Sequence, residues 1–256
     1  MDLKNEILLI DKPAGMSSFG VVARVRRKLS EAAGFVEVRG KDGVLRRKRK
    51  KVKVGHTGTL DPFATGLLVI LVGKGTKRAN EFLKLDKEYI ATMRLGYTST
   101  TGDVEGEIRP FLDAEQATVS RAGSGKNVVR VPERADVEKA VEKFVGETEQ
   151  TVPSFSAVKI NGERAYKLAR AGKEVEMPRR KIRVDEIEIL NYKWPELIIR
   201  CQVSSGTYIR ALAEDIGKEL GTGAYLTALR RTQVGGYRIE GAKKLENLEL
   251  IKERSE

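Results

Sequence analysis

The 256-residue sequence contains one cysteine and one histidine, and its apolar runs fall short of membrane-spanning length. A single cysteine, Cys201, excludes an internal disulfide framework, and its place in the apolar pattern LIIRCQV indicates a small buried side chain. One histidine and one cysteine leave a structural zinc site without its usual ligands. The opening residues MDLKNEILLIDKP lack a signal-peptide pattern, so we expect a cytoplasmic protein with no membrane segment.

Acidic residues are in deficit. There are 36 Asp and Glu residues against 48 Lys and Arg, which gives a net charge of +12 and a pI near 9.7. Such a surplus indicates a polyanionic partner, most simply nucleic acid. The alternative is a charge-rich soluble protein without such a partner, because charge alone specifies no ligand. A hydrophobic content of 40% permits an ordinary buried core.

Apolar periodicity and turn residues predict a mixture of strands and helices. A hairpin is expected over 35–54 around the turn Asp42-Gly43, and a surface loop is expected over 118–131. The elements alternate without strict βαβ repetition, so we expect an α+β fold with a mixed, mainly antiparallel sheet and flanking helices. Strands are predicted at 6–10, 67–72, 88–95, 182–191 and 196–203, and helices after Ser17-Ser18 and at 76–85, 136–145, 163–171 and 207–220.

The loop GHTGTLDP, residues 55–62, presents one carboxylate, Asp61. Pro62 forces Asp61 into extended geometry, and glycines on either side permit tight turning. The alternative is an aspartate that only shapes the loop through an Asx turn. One carboxylate does not suit ordinary glycoside hydrolysis, which uses two, and GKGTK at 73–77 does not match a P-loop.

Two further stretches carry candidate residues. Tyr89, in LDKEYIATMRLG, lies in a predicted strand, where its ring can either stack on a base or pack in the core. Tyr208 and Arg210, in SSGTYIRALAEDIG, lie at the start of a predicted helix. Arg210 can hold a carboxylate in its ionised form, position a phosphate, or be solvated.

Six motifs, taken in order, resemble the TruB family of tRNA pseudouridine synthases. Together they touch most of residues 6–235, and the GHTGTLDP block with its ATG continuation is highly specific. The motifs are LLIDKPAGMSS at 8–18, GHTGTLDPFATGLLVILVGKGTK at 55–77, KEYIATMRLG at 87–96, TGDVEGEI at 101–108, PSFSAVKINGERAYKLARAG at 153–172, and SSGTYIRALAEDIGKELGTGAYLTALRRT at 204–232.

The resemblance implies isomerisation of a uridine in the T-loop of tRNA, at position 55, to pseudouridine, without cofactor or metal. The uracil leaves C1′, turns in the site and rejoins through C5, which requires the base to be flipped out of its stack. Asp61 would be the catalytic residue, either as a nucleophile at the sugar or as a base at the 2′ position. The resemblance also implies that Tyr89 stacks on the base and that Arg210 pairs with Asp61. Tyr208 and Leu229 would line the pocket, and His56 would contact the T-loop. Lys12 and Lys77 would support the loop or contact the RNA backbone.

The resemblance also implies the pseudouridine synthase fold, with a central RNA-binding cleft and a thumb-like segment over about 150–175. We expect a catalytic domain over 1–240 and a C-terminal tail over 241–256 that is too short for a PUA domain. Two insertions, 34–53 and 116–132, depart from the family pattern. The first is either an additional RNA clamp or a variable surface loop.

We expect the partner to be the T-arm of tRNA and the protein to be a monomer. Two alternatives stay open: a guide-RNA-dependent pseudouridine synthase, which shares the LDKP and GHTGTLDP themes, and a tRNA-folding chaperone or passive RNA-binding module. The set of Asp61, Tyr89 and Arg210 argues against a purely passive role, because a carboxylate repels phosphate.

Overall fold

The computed structural model describes residues 7–112, 118–120, 128–173 and 175–248. The α-helices are α1 Ser18–Ala32, α2 Ala79–Leu83, α3 Arg134–Glu142, α4 Ala165–Arg170 and α5 Ile209–Glu219, and 3-10 helices span Gly73–Arg78 and Ile239–Gly241. The strands are β1 Ile7–Lys12, β2 Phe35–Arg39, β3 Leu45–Arg49, β4 Val54–His56, β5 Thr65–Val72, β6 Lys87–Leu95, β7 Tyr97–Ser99, β8 Ile108–Pro110, β9 Thr118–Ser120, β10 Val128–Arg130, β11 Gly146–Thr151, β12 Lys159–Ile160, β13 Glu163–Arg164, β14 Arg179–Lys193, β15 Glu196–Val203, β16 Ala224–Val234, β17 Tyr237–Arg238 and β18 Lys243–Lys244.

The chain forms two compact units, one of residues 1–85 with 230–256 and one of residues 86–229. In the first unit, β5 is the central strand. It pairs antiparallel with β1 and β4, and in parallel with the end of β16. Its continuous apolar sequence TGLLVILV suits burial on both faces, and seven of its eight residues are buried.

Helix α1 covers one face of β5. Its buried residues Val21, Val22 and Val25 pack in a cluster with Leu68 and Ile70. Ser17 caps the helix, since its side chain accepts a hydrogen bond from the Gly20 amide. The expected helix start is therefore confirmed, and the helix and strand together position the loop that joins β4 to β5.

The second unit is built on an antiparallel arrangement in which β15 lies between β14 and β6. Strand β11 pairs with the outer side of β14, and the first part of β16 neighbours β6. The alternation of buried and exposed side chains along β6 places Tyr89 on its buried face, opposite Cys201. The expected α+β fold with a mainly antiparallel sheet is confirmed.

Some local expectations were wrong. The helix expected over 76–85 is a 3-10 helix followed by the short α2. Within the loop expected over 118–131, β9 and β10 form a parallel pair, whereas 121–127 lie outside the described residues. The same holds for 116–117 of the second insertion, for Glu174 of the thumb-like segment and for 249–256 of the tail. No helix of the described residues has the length and apolar content needed to cross a membrane.

Candidate active site

The loop that carries Asp61 is anchored at almost every residue. The Ser18 hydroxyl donates to the Leu60 carbonyl at 2.9 Å and accepts from the Leu60 amide at 2.8 Å. On the other side of Asp61, the Pro62 carbonyl accepts from the Gly15 amide at 2.9 Å. The Asp61 carbonyl accepts from the Ala64 amide at 3.1 Å. The half-buried Asp61 is therefore held by bonds to the residues on both sides of it.

Lys12 is fully buried beneath this loop. Its Nζ donates to the carbonyl oxygens of Pro13 at 2.9 Å, Met16 at 2.6 Å and Pro62 at 3.1 Å. Three acceptors satisfy the three donors of an ammonium group, which explains how a lysine is tolerated in this position. Lys12 thus ties the turn after β1 to the residue that follows Asp61.

Arg231 is the third anchor, and it is not among the site residues predicted from the motifs. Its side chain is buried, its Nε donates to the Leu67 carbonyl at 2.8 Å and its guanidinium donates to the Gly58 carbonyl at 3.1 Å. Burial alternates along β16 at this point, so that Leu229 and Arg231 are buried and Arg230 is partly exposed, but the two adjacent arginines show no such alternation in the sequence. Arg230 instead pairs with Asp11 at 2.8 Å.

His56 ends β4 at the start of the loop, and its Nδ1 accepts from the Gly58 amide at 3.4 Å. Burial lowers the pKa of the His56 imidazole below its ordinary value, and the Arg231 charge lowers it further. The ring is therefore neutral at physiological pH. Lys77, in contrast, lies exposed in the 3-10 helix after β5.

In the second unit, Arg210 is buried in the first turn of α5. One of its terminal nitrogens lies 3.5 Å from Asp103 Oδ2, and both side chains are about 95% buried or more. The guanidinium also donates to the carbonyls of Thr101 at 2.6 Å and Phe155 at 2.8 Å. Asp103 is itself fixed, since it accepts from the Thr101 hydroxyl at 2.6 Å and from the Glu105 amide at 2.9 Å. Asp103 lies in the motif TGDVEGEI but is not among the site residues predicted from the sequence.

Tyr208 is the N-cap residue of α5, and the buried Gln150 of β11 fixes its backbone. The side-chain amide of Gln150 accepts a hydrogen bond from the backbone N–H of Tyr208 at 2.8 Å and donates one to the backbone carbonyl of Tyr208 at 3.0 Å. The Arg180 guanidinium lies 5.2 Å from the centre of the Tyr208 ring. Tyr208 and Arg210 are therefore brought together at one helix start, as the sequence predicted.

Tyr89 and Leu229 lie on the neighbouring strands β6 and β16 of the same unit, and they are 8% and 7% exposed. The predicted site residues thus divide into two sets. Asp61, His56, Lys12 and Lys77 belong to the first unit, whereas Tyr89, Tyr208, Arg210 and Leu229 belong to the second. Among the described residues, no three His, Cys, Asp or Glu side chains are grouped as metal ligands.

Comparison with known proteins identifies the class. The model of the TruB family pseudouridylate synthase N-terminal domain matches residues 46–209, and that of the tRNA pseudouridylate synthase B C-terminal domain matches residues 210–256. The chain belongs to the TruB family of pseudouridylate synthases. It is an isomerase that converts uridine to pseudouridine in tRNA.

Individual relatives agree with this assignment. The chain is 43% identical to the tRNA pseudouridine synthase B of Phocaeicola vulgatus over 95% of this chain and 92% of that protein. It is 39% identical to the protein of the same name from Mycobacterium bovis over 94% of this chain and 71% of that protein.

Solved structures share the fold. A Cbf5-Nop10-Gar1 complex matches 96% of this chain with a TM-score of 0.65 and 28% identity. An H/ACA RNP bound to a substrate RNA containing 2′-deoxyuridine matches 96% with a TM-score of 0.61 and 26% identity. The chain spans about half the length of those two chains, 54% and 52%.

Proposed function

We propose that this chain modifies the T-loop uridine at position 55 of tRNA and that Asp61 is its catalytic residue. The observation that carries the proposal is the anchoring of Asp61 between Leu60 and Pro62, both of which are hydrogen-bonded to buried side chains, Ser18 and Lys12. A carboxylate held in this way keeps one position relative to a bound ribose, which is what positioning contributes to catalysis.

The chemistry needs only one carboxylate because the reaction is an isomerisation. The C1′–N1 bond of the nucleotide breaks, the uracil turns, and a C1′–C5 bond forms, while C5 loses its proton to solvent and N1 takes one up. Asp61 acts on the ribose, either by adding to C1′ or by taking the proton at the 2′ position. Arg210 is proposed to pair with Asp61 and keep it ionised, since a guanidinium stabilises the charged form of a carboxylate.

The remaining residues are assigned to RNA. Tyr89 is proposed to stack on the flipped base, and Tyr208 and Leu229 to line its pocket. His56 is proposed to contact the opened T-loop as a neutral ring, which avoids a change of charge near neutral pH. Lys77, exposed beyond β5, suits a phosphate contact.

The test uses two unmodified tRNA transcripts, one with uridine and one with cytidine at position 55, and no guide RNA. Mapping of pseudouridine by nucleotide is expected to give product at position 55 of the first transcript and no product from the second. Modification at another position would contradict the T-loop assignment. Activity only after addition of a guide RNA would favour the guide-dependent alternative.

A further inference from the structure

The strongest charged feature outside the site is the basic hairpin, residues 35–53, which contains β2 and β3. It has nine basic and two acidic residues, a net +7 of the chain's +12. Every residue of both strands is exposed. The hairpin is nevertheless well formed, with the Gly40 amide bonded to the Val44 carbonyl at its tip and the Lys50 amide to the Gly34 carbonyl at its base.

The charges of the basic hairpin are displayed on both faces. Paired residues of antiparallel strands share a face, so Arg39, Arg47 and Arg49 lie on one side and Arg46 and Lys48 on the other. Two of these cations are paired with acids, Arg46 with Asp42 and Arg49 with Glu31 of α1. The second pair fixes the hairpin to the helix that also anchors the Asp61 loop.

We propose that the basic hairpin binds the sugar–phosphate backbone of a tRNA stem next to the loop that carries the target uridine. This inference rests on the proposed function. Arg49 and His56 are seven positions apart in the chain, so their Cα atoms lie within roughly 25 Å, and an RNA bound at the loop extends within reach of the hairpin. Nine cations in one segment, five of them on the exposed strands, complement closely spaced phosphates.

The residue types of the basic hairpin favour backbone contact. It contains neither the asparagine nor the glutamine that pairs with adenine edges. Its aromatic residue, Phe35, has the Arg47 guanidinium 4.5 Å and the Arg49 guanidinium 5.8 Å from its ring centre, so arginines occupy the ring surface that a base would need. The major groove of an RNA helix is also too narrow for a side chain to read.

A second copy of this chain is the competing occupant, because Val36 and Val38 are exposed on the hairpin. Two hairpins of net charge +7 repel each other, whereas RNA attracts both. Charge complementarity therefore favours RNA.

The test compares three variants by their affinity for an unmodified tRNA transcript across a series of KCl concentrations. The hairpin variant carries Arg39→Gln, Arg47→Gln and Lys48→Gln, which leaves both ion pairs in place. The control variant carries Lys139→Gln, Lys193→Gln and Lys243→Gln, three exposed residues on other elements, and loses the same charge. A third variant, Arg39→Lys with Arg47→Lys, keeps the charge of the hairpin, and thermal unfolding checks the fold of each.

The hairpin variant is expected to bind tRNA about tenfold more weakly. The slope of the logarithm of its affinity against the logarithm of the KCl concentration is expected to be smaller in magnitude by about 2 to 3. The control and the charge-keeping variants are expected to stay near the wild type. Equal affinities and slopes for the hairpin and control variants would overturn the proposal. It would also be overturned if the hairpin variant bound RNA like the wild type but had a different sedimentation coefficient, because that result would assign the hairpin to contact between copies of the chain. The affinity is read from formation of the complex and not from product, so absence of pseudouridine formation in the wild type would count against the proposed function alone.

Discussion

The Nζ of Lys12 donates a hydrogen bond to the carbonyl oxygen of Pro62 across fifty residues of chain, at 3.1 Å. Pro62 directly follows Asp61, so this bond fixes one side of the peptide that carries the carboxylate. Lys12 belongs to the LDKP-like motif IDKP and Asp61 to GHTGTLDP, so the two motifs are joined in space by this contact. The first function of Lys12 is therefore structural, and its predicted contact with RNA stays a prediction.

Replacement of Lys12 by methionine keeps the buried apolar stem and removes the ammonium group. The substitution removes the buried donor from the carbonyl oxygens of Pro13, Met16 and Pro62. We therefore expect the free energy of unfolding to fall by about 2–3 kcal/mol, together with reduced turnover. Lys74→Met, at an exposed position, is the control and should change stability by about 0.5 kcal/mol or less. Denaturant unfolding measures both, and equal losses would contradict the anchoring role.

Asp103→Asn tests the buried ion pair with Arg210. The substitution keeps the side-chain shape but removes the Asp103 charge beside the buried Arg210 guanidinium, and breaking a buried ion pair costs about 3 kcal/mol. The matched control is Asp185→Asn, which breaks the exposed pair with Arg183 and should cost about 1 kcal/mol or less. If the two variants unfold at the same denaturant concentration, the Asp103 pair does not stabilise the fold as proposed here.

Gly66→Ala tests the junction of β5 with β16. Gly66 has φ +103°, and an added Cβ would lie 2.3 Å from the Arg231 carbonyl oxygen. We expect a loss of about 2–4 kcal/mol, because the contact is with backbone, which does not move aside easily. Gly221→Ala is the control, since Gly221 also has positive φ but no atom within 4 Å of its Cβ position, and it should cost about 1 kcal/mol. Similar thermal shifts for the two would show that the close approach is unimportant.

His56 makes stability depend on pH in a predictable direction. Its pKa is lowered in the folded chain by burial and by Arg231, whereas the unfolded chain takes up the proton near the ordinary value of 6.5. Below that pH the unfolded state binds more protons, so stability falls as the pH decreases. His56→Gln removes this contribution, and its melting temperature should fall less than that of the wild type between about pH 7.5 and pH 5.5. Parallel curves for the two proteins would contradict a half-buried, neutral His56.

Strong local signals in the sequence predicted much of the fold. The Asp42-Gly43 turn, the cap at Ser17 and the apolar run of β5 each specify their element by local chemistry, and each is present. Strands β11 and β16 were missed for different reasons. The sequence GETEQT of β11 has too few apolar residues to show a pattern, and it is stabilised by pairing with β14. The two arginines in the middle of β16 hide a strand that buries one of them.

The motifs also predicted which residues to examine, but not how they are supported. Asp103 and Arg231 lie inside two of the six family motifs, yet their importance comes from partners far along the chain. The partner of Asp103 is Arg210, and those of Arg231 are Gly58 and Leu67. Contacts of this kind depend on tertiary packing, which a local pattern does not encode. The roles of Tyr89, Tyr208, Leu229 and Lys77 toward RNA stay predictions, as do the domain boundary at 240 and the monomeric state.

The most direct test of the central claim compares wild type with Asp61→Asn on one unmodified tRNA transcript, with both binding affinity and pseudouridine formation measured. Asparagine preserves the size of the side chain and the anchored loop, so we expect tRNA binding within about threefold of the wild type, and a loss of product formation of at least about a thousandfold. A variant that binds tRNA and still forms pseudouridine at a comparable rate would show that Asp61 only shapes its loop, and the catalytic assignment would be wrong.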